Sequence, residues 1–230
     1  FSWGTLAPVI QVYAVSSSWK LLADFFRNRL KEKALQKAKQ ESEIKFLRSQ
    51  INPHFLFNTL NNINSLIRSK PEQAEKSVVR LSNLMRYMLR TGDQPRVPLK
   101  DEFDYLLNYI ELQKLRLHSD FDLKVVIPES GADLKIEPLL LVSFIENCFK
   151  HGVHGESNDF IEISVKLNQN ILKLQTRNRI DINSSSREIS SGIGLQNVSQ
   201  RLELCYENKY DLEVVETSGV FEVNLQLQLI

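Results

Sequence analysis

The alternation of apolar and polar positions divides the chain into a helical first part and a mixed second part. Residues 28–50 are dense in Lys, Glu, Gln and Ala without Gly or Pro, and the pattern continues into residues 51–67, which are apolar on two nearly opposite faces. A helix that is apolar on two faces is buried on both, as in a helical bundle. We therefore predict a helical, coiled-coil linker over residues 27–49 that leads into a bundle helix.

A short break separates this helix from a second one, predicted over residues 71–89. Ser69 and Glu72 have the spacing of a capping box, and Pro71 suits the first turn of a helix. Because the connection is so short, residues 50–95 should form an antiparallel hairpin. One hairpin cannot cover both apolar faces of its first helix, so we expect two subunits to form a dimeric four-helix bundle.

Beyond this hairpin the pattern changes from helices alone to helices and strands. A third helix is predicted over residues 99–117, and further helices over 138–151 and 193–206. Alternating apolar residues predict strands over 121–127, 161–167, 172–176, 212–215 and 220–228, whereas the polar, Ser-rich residues 178–191 indicate a mobile loop. The chain is therefore predicted to be α+β, with an α/β two-layer sandwich within residues 96–230.

Residues 1–26 differ from the rest because no charged residue precedes Lys20. Trp19 and Lys20, followed by Arg27 and Arg29, are typical of an aromatic interface anchor with a positive flank. We predict the end of a transmembrane helix here, with the helical linker beyond it. The alternatives are a signal-peptide core or a buried helix, but the segment lacks the positive start and small-residue end of a signal peptide.

The overall charge excludes some classes of partner. With 29 basic and 28 acidic residues the net charge is +1, so nothing indicates the basic face that a nucleic-acid partner requires. Cys148 and Cys205 stand apart from each other and from any Cys/His cluster. No zinc site is therefore predicted, and the thiols fit a reducing compartment.

The first segment that could carry chemistry is Pro53 followed by His54 within a predicted helix. A proline inside a helix removes a backbone hydrogen bond and loosens the turn before it. A strained helix beside a potential nucleophile suggests function, although a lone histidine on a helix is more often structural.

The second segment places a polar pair, Glu146 and Asn147, after a long apolar run, and Lys150, His151 and Gly152 follow it. An amide oxygen is a hard ligand of the kind that Mg²⁺ prefers, and Mg²⁺ brings phosphates with it. A buried helix with an ordinary glycine stop is the alternative interpretation.

The third segment is a Gly-x-Gly pattern, Gly192 and Gly194, at the start of a predicted helix. Backbone N–H groups at such a helix start can approach phosphates. The pattern is weak alone, since it matches neither a dinucleotide-binding fingerprint nor a Walker A loop.

Together and in this order, the three segments resemble those of the LytS-type family of sensor histidine kinases. Residues 52–58 are similar to its histidine box, residues 146–152 to its asparagine box and residues 192–202 to its second glycine box. The resemblance covers the chain from about residue 41 to its end, and it implies that residues 96–230 form a catalytic ATP-binding domain of the Bergerat type.

The resemblance also implies roles and partners. His54 would accept the γ-phosphoryl group, oriented by Asn58, with ATP and Mg²⁺ as cofactors and Asn147 as the Mg²⁺ ligand. The phosphoryl group would pass to an Asp in the receiver domain of a separate response regulator, usually one with a LytTR output domain. The location would be the bacterial inner (cytoplasmic) membrane, with the kinase region in the cytoplasm. The implied ATP-binding residues are Glu146, Asn147, Lys150, His151, Gly152, Asn178, Gly192, Gly194, Leu195, Asn197 and Arg201.

Two departures from the family pattern keep alternatives open. The Asp-x-Gly box that contacts adenine is absent, and Arg177 or Asn178 stands where the acid would be. Phe55 follows His54 where many histidine kinases have an acidic residue. A degenerate kinase acting as a dimeric scaffold is therefore one alternative. A non-kinase ATPase is another, although Ser143 stands where such enzymes place their water-activating Glu.

Overall fold

A computed structural model describes residues 19, 29, 39, 53–92, 94–118, 120–130, 133–155, 158–180 and 187–229, with the backbone alone at 53, 54 and 187–193. The chain divides into two compact units, Phe1–Phe46 and Leu47–Ile230. In the first unit Trp19, Arg29 and Lys39 are helical and exposed. The predicted membrane segment and linker otherwise lie outside the described residues. No helix within the described ranges is long and apolar enough to cross a membrane.

The second unit begins with the predicted helical hairpin, α1 (Pro53–Ser69) and α2 (Pro71–Thr91). Pro71 stands in the first turn of α2, as predicted, where the N–H that it lacks would have no helical partner. The predicted capping box does not form, because Ser69 still belongs to α1 and its hydroxyl donates to the Ser65 carbonyl at 3.1 Å.

The hairpin buries one face and leaves a second apolar face exposed. Phe55, Thr59 and Ile63 of α1 are buried, whereas Leu60 and Ile67 are 49% and 55% exposed. The four-residue spacing from Phe55 to Ile63 forms one stripe, and Leu60 and Ile67 lie on a different one. The large apolar residues exposed on the hairpin are Phe57, Leu60, Ile67, Val78, Val79, Met85 and Leu89.

Helix α3 (Leu99–Lys114) packs between the hairpin and the rest of the unit. It ends earlier than predicted, and residues 115–117 form a turn that closes with 3₁₀-type hydrogen bonds. Strand β1 (Val97–Pro98) leads into the helix and pairs antiparallel with β3 (Lys135–Ile136). The sequence missed this pair because two-residue strands show no periodicity.

The sheet has the order β2–β4–β5–β7–β6. Its strands are β2 (Asp122–Val126), β4 (Phe160–Asn168), β5 (Ile171–Arg179), β6 (Tyr210–Thr217) and β7 (Val220–Gln228). Strands β2 and β4 are parallel and the other neighbours are antiparallel. All five strands were predicted, each to within a few residues of its observed ends.

Two helices cover the apolar face of this sheet. Helix α4 (Val142–His151) packs on β4 and β5, and α5 (Arg187–Tyr206) packs beside α4. The inner face contributes buried aliphatic residues to the core: Ile161, Ile163, Val165, Leu172, Leu174, Val223, Leu225 and Leu227. The predicted α/β two-layer sandwich within a mixed α+β chain is thus confirmed.

The segment predicted to be a mobile loop, residues 178–191, is regular structure at both of its ends. Its first two residues complete β5, and its last residues, from Arg187, begin α5. The sequence pattern failed because polar residues at a sheet end and at the start of a glycine-containing helix resemble a loop in composition. Residues 181–186 lie outside the described residues.

Candidate active site

The asparagine of α4 lies directly against the glycine segment of α5. Asn147 is half-buried, and a Cβ placed on Gly194 would lie 3.1 Å from the Asn147 Oδ1 atom. That distance is tighter than ordinary van der Waals contact, so glycine at this position permits the approach. The second and third predicted motifs are therefore brought together. Gly192 lies in the same helix, two residues before Gly194.

The end of α4 lies equally close to β5. A Cβ on Gly152 would meet the Cys148 carbonyl oxygen at 2.6 Å and the Asn178 Cβ at 2.7 Å. Gly152 is buried and the Asn178 residue is 1% exposed. Only a residue without a side chain allows the C-terminus of α4 and the inner face of β5 to pack this closely.

Arg177 and Asn178, the two residues that could replace the aspartate of the absent Asp-x-Gly box, lie on opposite faces of β5. Asn178 shares the inner face of β5 with Leu174 and Thr176, and its Nδ2 donates to the Arg179 carbonyl at 2.8 Å. Arg177 points to the opposite face of the sheet, where its guanidinium meets Glu162 and Glu222 carboxylate oxygens at 2.5 and 3.2 Å. Of the two candidates, Asn178 is therefore the one beside α4.

Three side chains of α4 carry charge or can gain it. Burial raises the pKa of the Glu146 carboxyl to about 7, and the Lys150 ammonium opposes part of that shift. Burial also lowers the pKa of the His151 imidazole, and the positive charges of Lys150 and His154 act in the same direction. Lys150 itself is exposed.

His151 carries an unsatisfied polar atom. Its Nε2 is buried and has no hydrogen-bond partner in the part of the chain that the structure describes. A neutral imidazole nitrogen buried without a partner is costly unless a ligand or water completes it. A free imidazole nitrogen and an amide oxygen are groups of the kind that bind a phosphate and its cation.

The remaining residues predicted to bind ATP lie on α5. Leu195 is half-buried and packs against the core, and Asn197 is half-buried. Arg201 is instead directed into the protein, where its Nη2 meets the Glu137 Oε2 at 2.5 Å. Its guanidinium also donates to two backbone carbonyls, those of Pro138 and Leu139. The structure therefore places Arg201 against the segment that leads into α4.

The backbone of His54 lies in the first turn of α1, and its neighbour Phe55 connects that turn to α4. The Phe55 ring centroid is 4.7 Å from that of Tyr109 in α3. The Tyr109 centroid is 6.3 Å from that of Phe149, which follows Asn147 by two residues in α4. Asn58, one helical turn after His54, is half-buried. Phe55 thus occupies the usual place of an acid but makes an aromatic contact.

Sequence reasoning missed a buried carboxylate that supports this site. Glu102 of α3 is fully buried and accepts hydrogen bonds from Tyr87 and from two backbone N–H groups just before α4. One signal could have revealed it: Glu102 lies on the apolar stripe that Leu99, Leu106 and Tyr109 define along α3.

Comparisons with known proteins agree with the motifs. A histidine kinase family model matches residues 42–121. The sensor protein LytS of Enterococcus faecalis is 28% identical, over 78% of this chain and 33% of its own length. The sensor histidine kinase BtsS of Escherichia coli is 30% identical, over 81% of this chain and 33% of its own length.

Among solved structures, the histidine kinase domain of the Erythrobacter litoralis EL346 blue-light activated histidine kinase is similar at 12% identity. It matches 84% of this chain and 94% of its own, with a TM-score of 0.45. The chain spans about a third of the length of the curated relatives it matches. The family match and these relatives confirm the resemblance that the motifs show to the LytS-type sensor histidine kinase family.

Proposed function

We propose that the chain is the kinase region of a two-component sensor, in which His54 takes the γ-phosphoryl group of Mg-ATP bound between α4 and α5. The observation that carries this proposal is the contact between Asn147 and the Gly194 position, with the unsatisfied Nε2 of His151 one helical turn further along α4. In the reaction an imidazole nitrogen forms a bond to the γ-phosphorus while the bond from that phosphorus to the β–γ bridging oxygen breaks, and ADP leaves.

Each residue of α4 has a proposed task. The Asn147 side-chain oxygen would hold Mg²⁺, which would offset negative charge on the phosphates of ATP. The buried Nε2 of His151 and the exposed ammonium of Lys150 contact the phosphates or the ribose. Glu146 borders the same site, and Gly152 lets the end of α4 approach β5.

The nucleotide base has a proposed contact on β5. Asn178 keeps its Nδ2 on the Arg179 carbonyl at 2.8 Å. Its Oδ1 would then accept from the adenine amino group, as the missing Asp does in the family. On α5 we propose that Gly192, Gly194, Leu195 and Asn197 line the phosphates, and that Arg201 acts indirectly by holding the start of α4.

The absence of an acid beside His54 does not prevent transfer. A histidine side chain is mostly neutral near pH 7 and already has a lone pair, so it attacks without a strong base. Asn58, one turn along α1, is proposed to orient the ring. Phe55 is proposed to fix the first turn of α1 against Tyr109, since the two ring centroids lie 4.7 Å apart.

The hairpin surface supports a homodimer. Phe57, Leu60 and Ile67 on α1, with Met85 and Leu89 on α2, are between 41% and 83% exposed. An apolar face of this kind on two adjacent helices is buried in a four-helix bundle. We propose that a second copy of the chain covers it.

The remaining partners follow from the family. We propose that His54 passes its phosphoryl group to the receiver domain of a separate response regulator, of the LytTR type. The proposed location is the bacterial inner membrane, reached through a helix that includes residues 1–26, with the kinase region in the cytoplasm and no direct contact with nucleic acid.

One experiment tests the proposal against its alternatives. The purified chain, His54→Gln and Asn147→Ala are incubated with γ-labelled ATP and Mg²⁺. We expect an acid-labile label on the unmodified chain alone, and label that survives in His54→Gln would refute the assignment. Phosphate release without protein label would favour an ATPase, against which Ser143 stands at the position of the usual Glu.

A dimeric scaffold without kinase activity is the second candidate, and the replacement of the adenine-binding acid by Asn178 is the observation that favours it. Neither label nor phosphate release in that experiment, together with no measurable binding of Mg-ATP in calorimetry, would support the scaffold.

A further inference from the structure

The segment just before α4 is held from one side by α5. Arg201 donates to the Pro138 carbonyl at 2.7 Å and to the Leu139 carbonyl at 3.0 Å. The Tyr206 hydroxyl accepts the Glu137 N–H at 2.8 Å. These contacts hold the Pro138 and Leu139 carbonyls and the Glu137 N–H. The Leu139 and Leu141 N–H groups are directed to a different residue.

Glu102 of α3 holds the same segment through two of its N–H groups. Its Oε2 accepts the Leu139 N–H at 3.0 Å, and its Oε1 accepts the Leu141 N–H at 3.3 Å. The first N–H groups of a helix have no partner within the helix, and a carboxylate near them is favourable. Leu139 has a positive φ of 59°, a strained conformation for leucine that turns the chain into α4.

The same carboxylate also reaches the phosphoacceptor hairpin. The Tyr87 hydroxyl of α2 donates to the Glu102 Oε2 at 2.6 Å, and both residues are buried. Tyr87 and His54 belong to the same hairpin, whereas Leu139 and Leu141 lead directly into the helix of Asn147. We call the contacts among Tyr87, Glu102, Leu139 and Leu141 the Glu102 junction.

We propose that Glu102 is a positioning residue that fixes the start of the Asn147 helix to the hairpin of His54, so that the Tyr87 hydroxyl controls the transfer rate and not ATP affinity. This inference rests on the proposed function. Transfer requires the attacking nitrogen and the γ-phosphorus to be aligned within a few tenths of an ångström to an ångström. ATP binding needs only the nucleotide half, residues 96–230, where Glu102 still accepts the Leu139 and Leu141 N–H groups in Tyr87→Phe, although these bonds open more often.

The pKa of the Glu102 carboxyl indicates that its hydrogen-bond donors stabilise the Glu102 junction. Burial raises the pKa of Glu102 to about 7, the Tyr87, Leu139 and Leu141 bonds lower it, and nearby Glu137 raises it. Burying this carboxyl therefore has a cost that its three donors only partly offset. Removal of one donor should loosen the junction.

The test compares Tyr87→Phe with Tyr210→Phe in the full chain. Tyr210 makes the same kind of bond, from its hydroxyl to the Glu203 Oε2 at 3.1 Å, but on the exposed surface and away from the hairpin. Single-turnover labelling of His54 at saturating Mg-ATP gives the transfer rate, and calorimetry gives the dissociation constant of Mg-ATP. We expect Tyr87→Phe to lower the transfer rate about tenfold, the loss of one hydrogen bond to a charged group, with affinity within about twofold. Tyr210→Phe should change neither quantity.

A second readout follows the junction itself. Hydrogen exchange at the Leu139 and Leu141 amides should accelerate in Tyr87→Phe, while exchange in β4 and β5 stays as in the unmodified chain, which shows that the variant is folded. Unchanged exchange at these two amides would overturn the inference.

Two further outcomes separate the inference from the function on which it rests. No label on the unmodified chain would refute the proposed function. Label on the unmodified chain with an equal or higher rate in Tyr87→Phe, or with ATP affinity weakened in proportion to the rate, would overturn the positioning role of Glu102 alone.

Discussion

The buried pair of Arg201 and Glu137 offers the most informative change in the chain. Their side chains are 3% and 1% exposed, and the Nη2 and Oε2 atoms lie 2.5 Å apart. Replacing Arg201 by Met keeps most of the apolar stem and removes the guanidinium. The Glu137 carboxylate is then buried without its cation, and the Pro138 and Leu139 carbonyls lose their donor.

The expected cost of Arg201→Met can be worked from this geometry. Removing one partner of a buried ion pair costs about 3–5 kcal/mol, because the other charge stays buried. Whole domains have free energies of unfolding of roughly 5–15 kcal/mol. Arg201→Met should therefore remove a large part of the stability of the nucleotide half and lower its melting temperature by roughly 10 °C.

The assay is urea unfolding followed by circular dichroism. Alongside Arg201→Met, Glu137→Gln and the double variant complete a double-mutant cycle. We expect a coupling free energy of about 2 kcal/mol or more, because Glu137→Gln removes the charge whose guanidinium partner Arg201→Met takes away. Arg90→Met is the matched control. Arg90 meets the Asp101 carboxylate at 2.6 Å with its side chain 56% exposed, and such surface pairs contribute about 0–1 kcal/mol.

One pattern of results would refute this reasoning. If Arg201→Met costs no more than Arg90→Met while the affinity for Mg-ATP falls more than about tenfold, Arg201 contacts the nucleotide. That result would restore the direct ATP-binding role that the family resemblance implied for this residue, against the geometry of the Arg201–Glu137 pair.

The remaining predictions concern two glycines and one carboxyl. A Cβ in Gly194→Ala would press on the Asn147 Oδ1 at 3.1 Å, so calorimetry should show weaker Mg-ATP binding with little change in stability; equal affinity would contradict the contact. A Cβ in Gly152→Ala would meet a carbonyl oxygen at 2.6 Å, so urea unfolding should show a loss of about 1–3 kcal/mol, and none if α4 and β5 lie further apart. Burial raises the pKa of the Glu102 carboxyl from 4.5 to about 7, because the fold favours its protonated form. The free energy of unfolding should therefore be highest below pH 4.5 and should fall by about 3 kcal/mol as the pH rises through 7. Urea unfolding at pH 5 and pH 8.5 checks this: Glu102→Gln should lessen the pH dependence and the exposed Glu129→Gln should not.

Much of the fold could be predicted from the sequence, because long periodic segments determine their own elements. The hairpin, α3 and all five strands of the main sheet follow from apolar spacing, and Pro71 correctly indicated where α2 begins. Ends of elements were less certain. Ser69 has the composition of a cap but is the last residue of α1, where its hydroxyl returns to the Ser65 carbonyl.

The sequence indicated those site residues whose motif requires a close approach of two backbones. It was less informative for residues whose partners are set by packing between distant parts of the chain. Gly194 and Asn147 lie far apart in sequence and meet in the fold, as their motifs indicated. The choice between Arg177 and Asn178 needed the phase of β5, which polar residues at the end of a strand do not reveal. Arg201 pairs with Glu137, which is far from it in the sequence, and a local sequence pattern does not reveal such a contact.

The most direct test of the central claim is the chemical location of the phosphoryl group. The chain is incubated with Mg-ATP, digested at alkaline pH, where phosphohistidine survives, and mapped by tandem mass spectrometry. The account predicts one phosphoryl group on His54, absent when Mg²⁺ is chelated and absent in Asn147→Ala. A phosphoryl group on any other residue, or an unmodified His54 peptide after full occupancy by Mg-ATP, would contradict it.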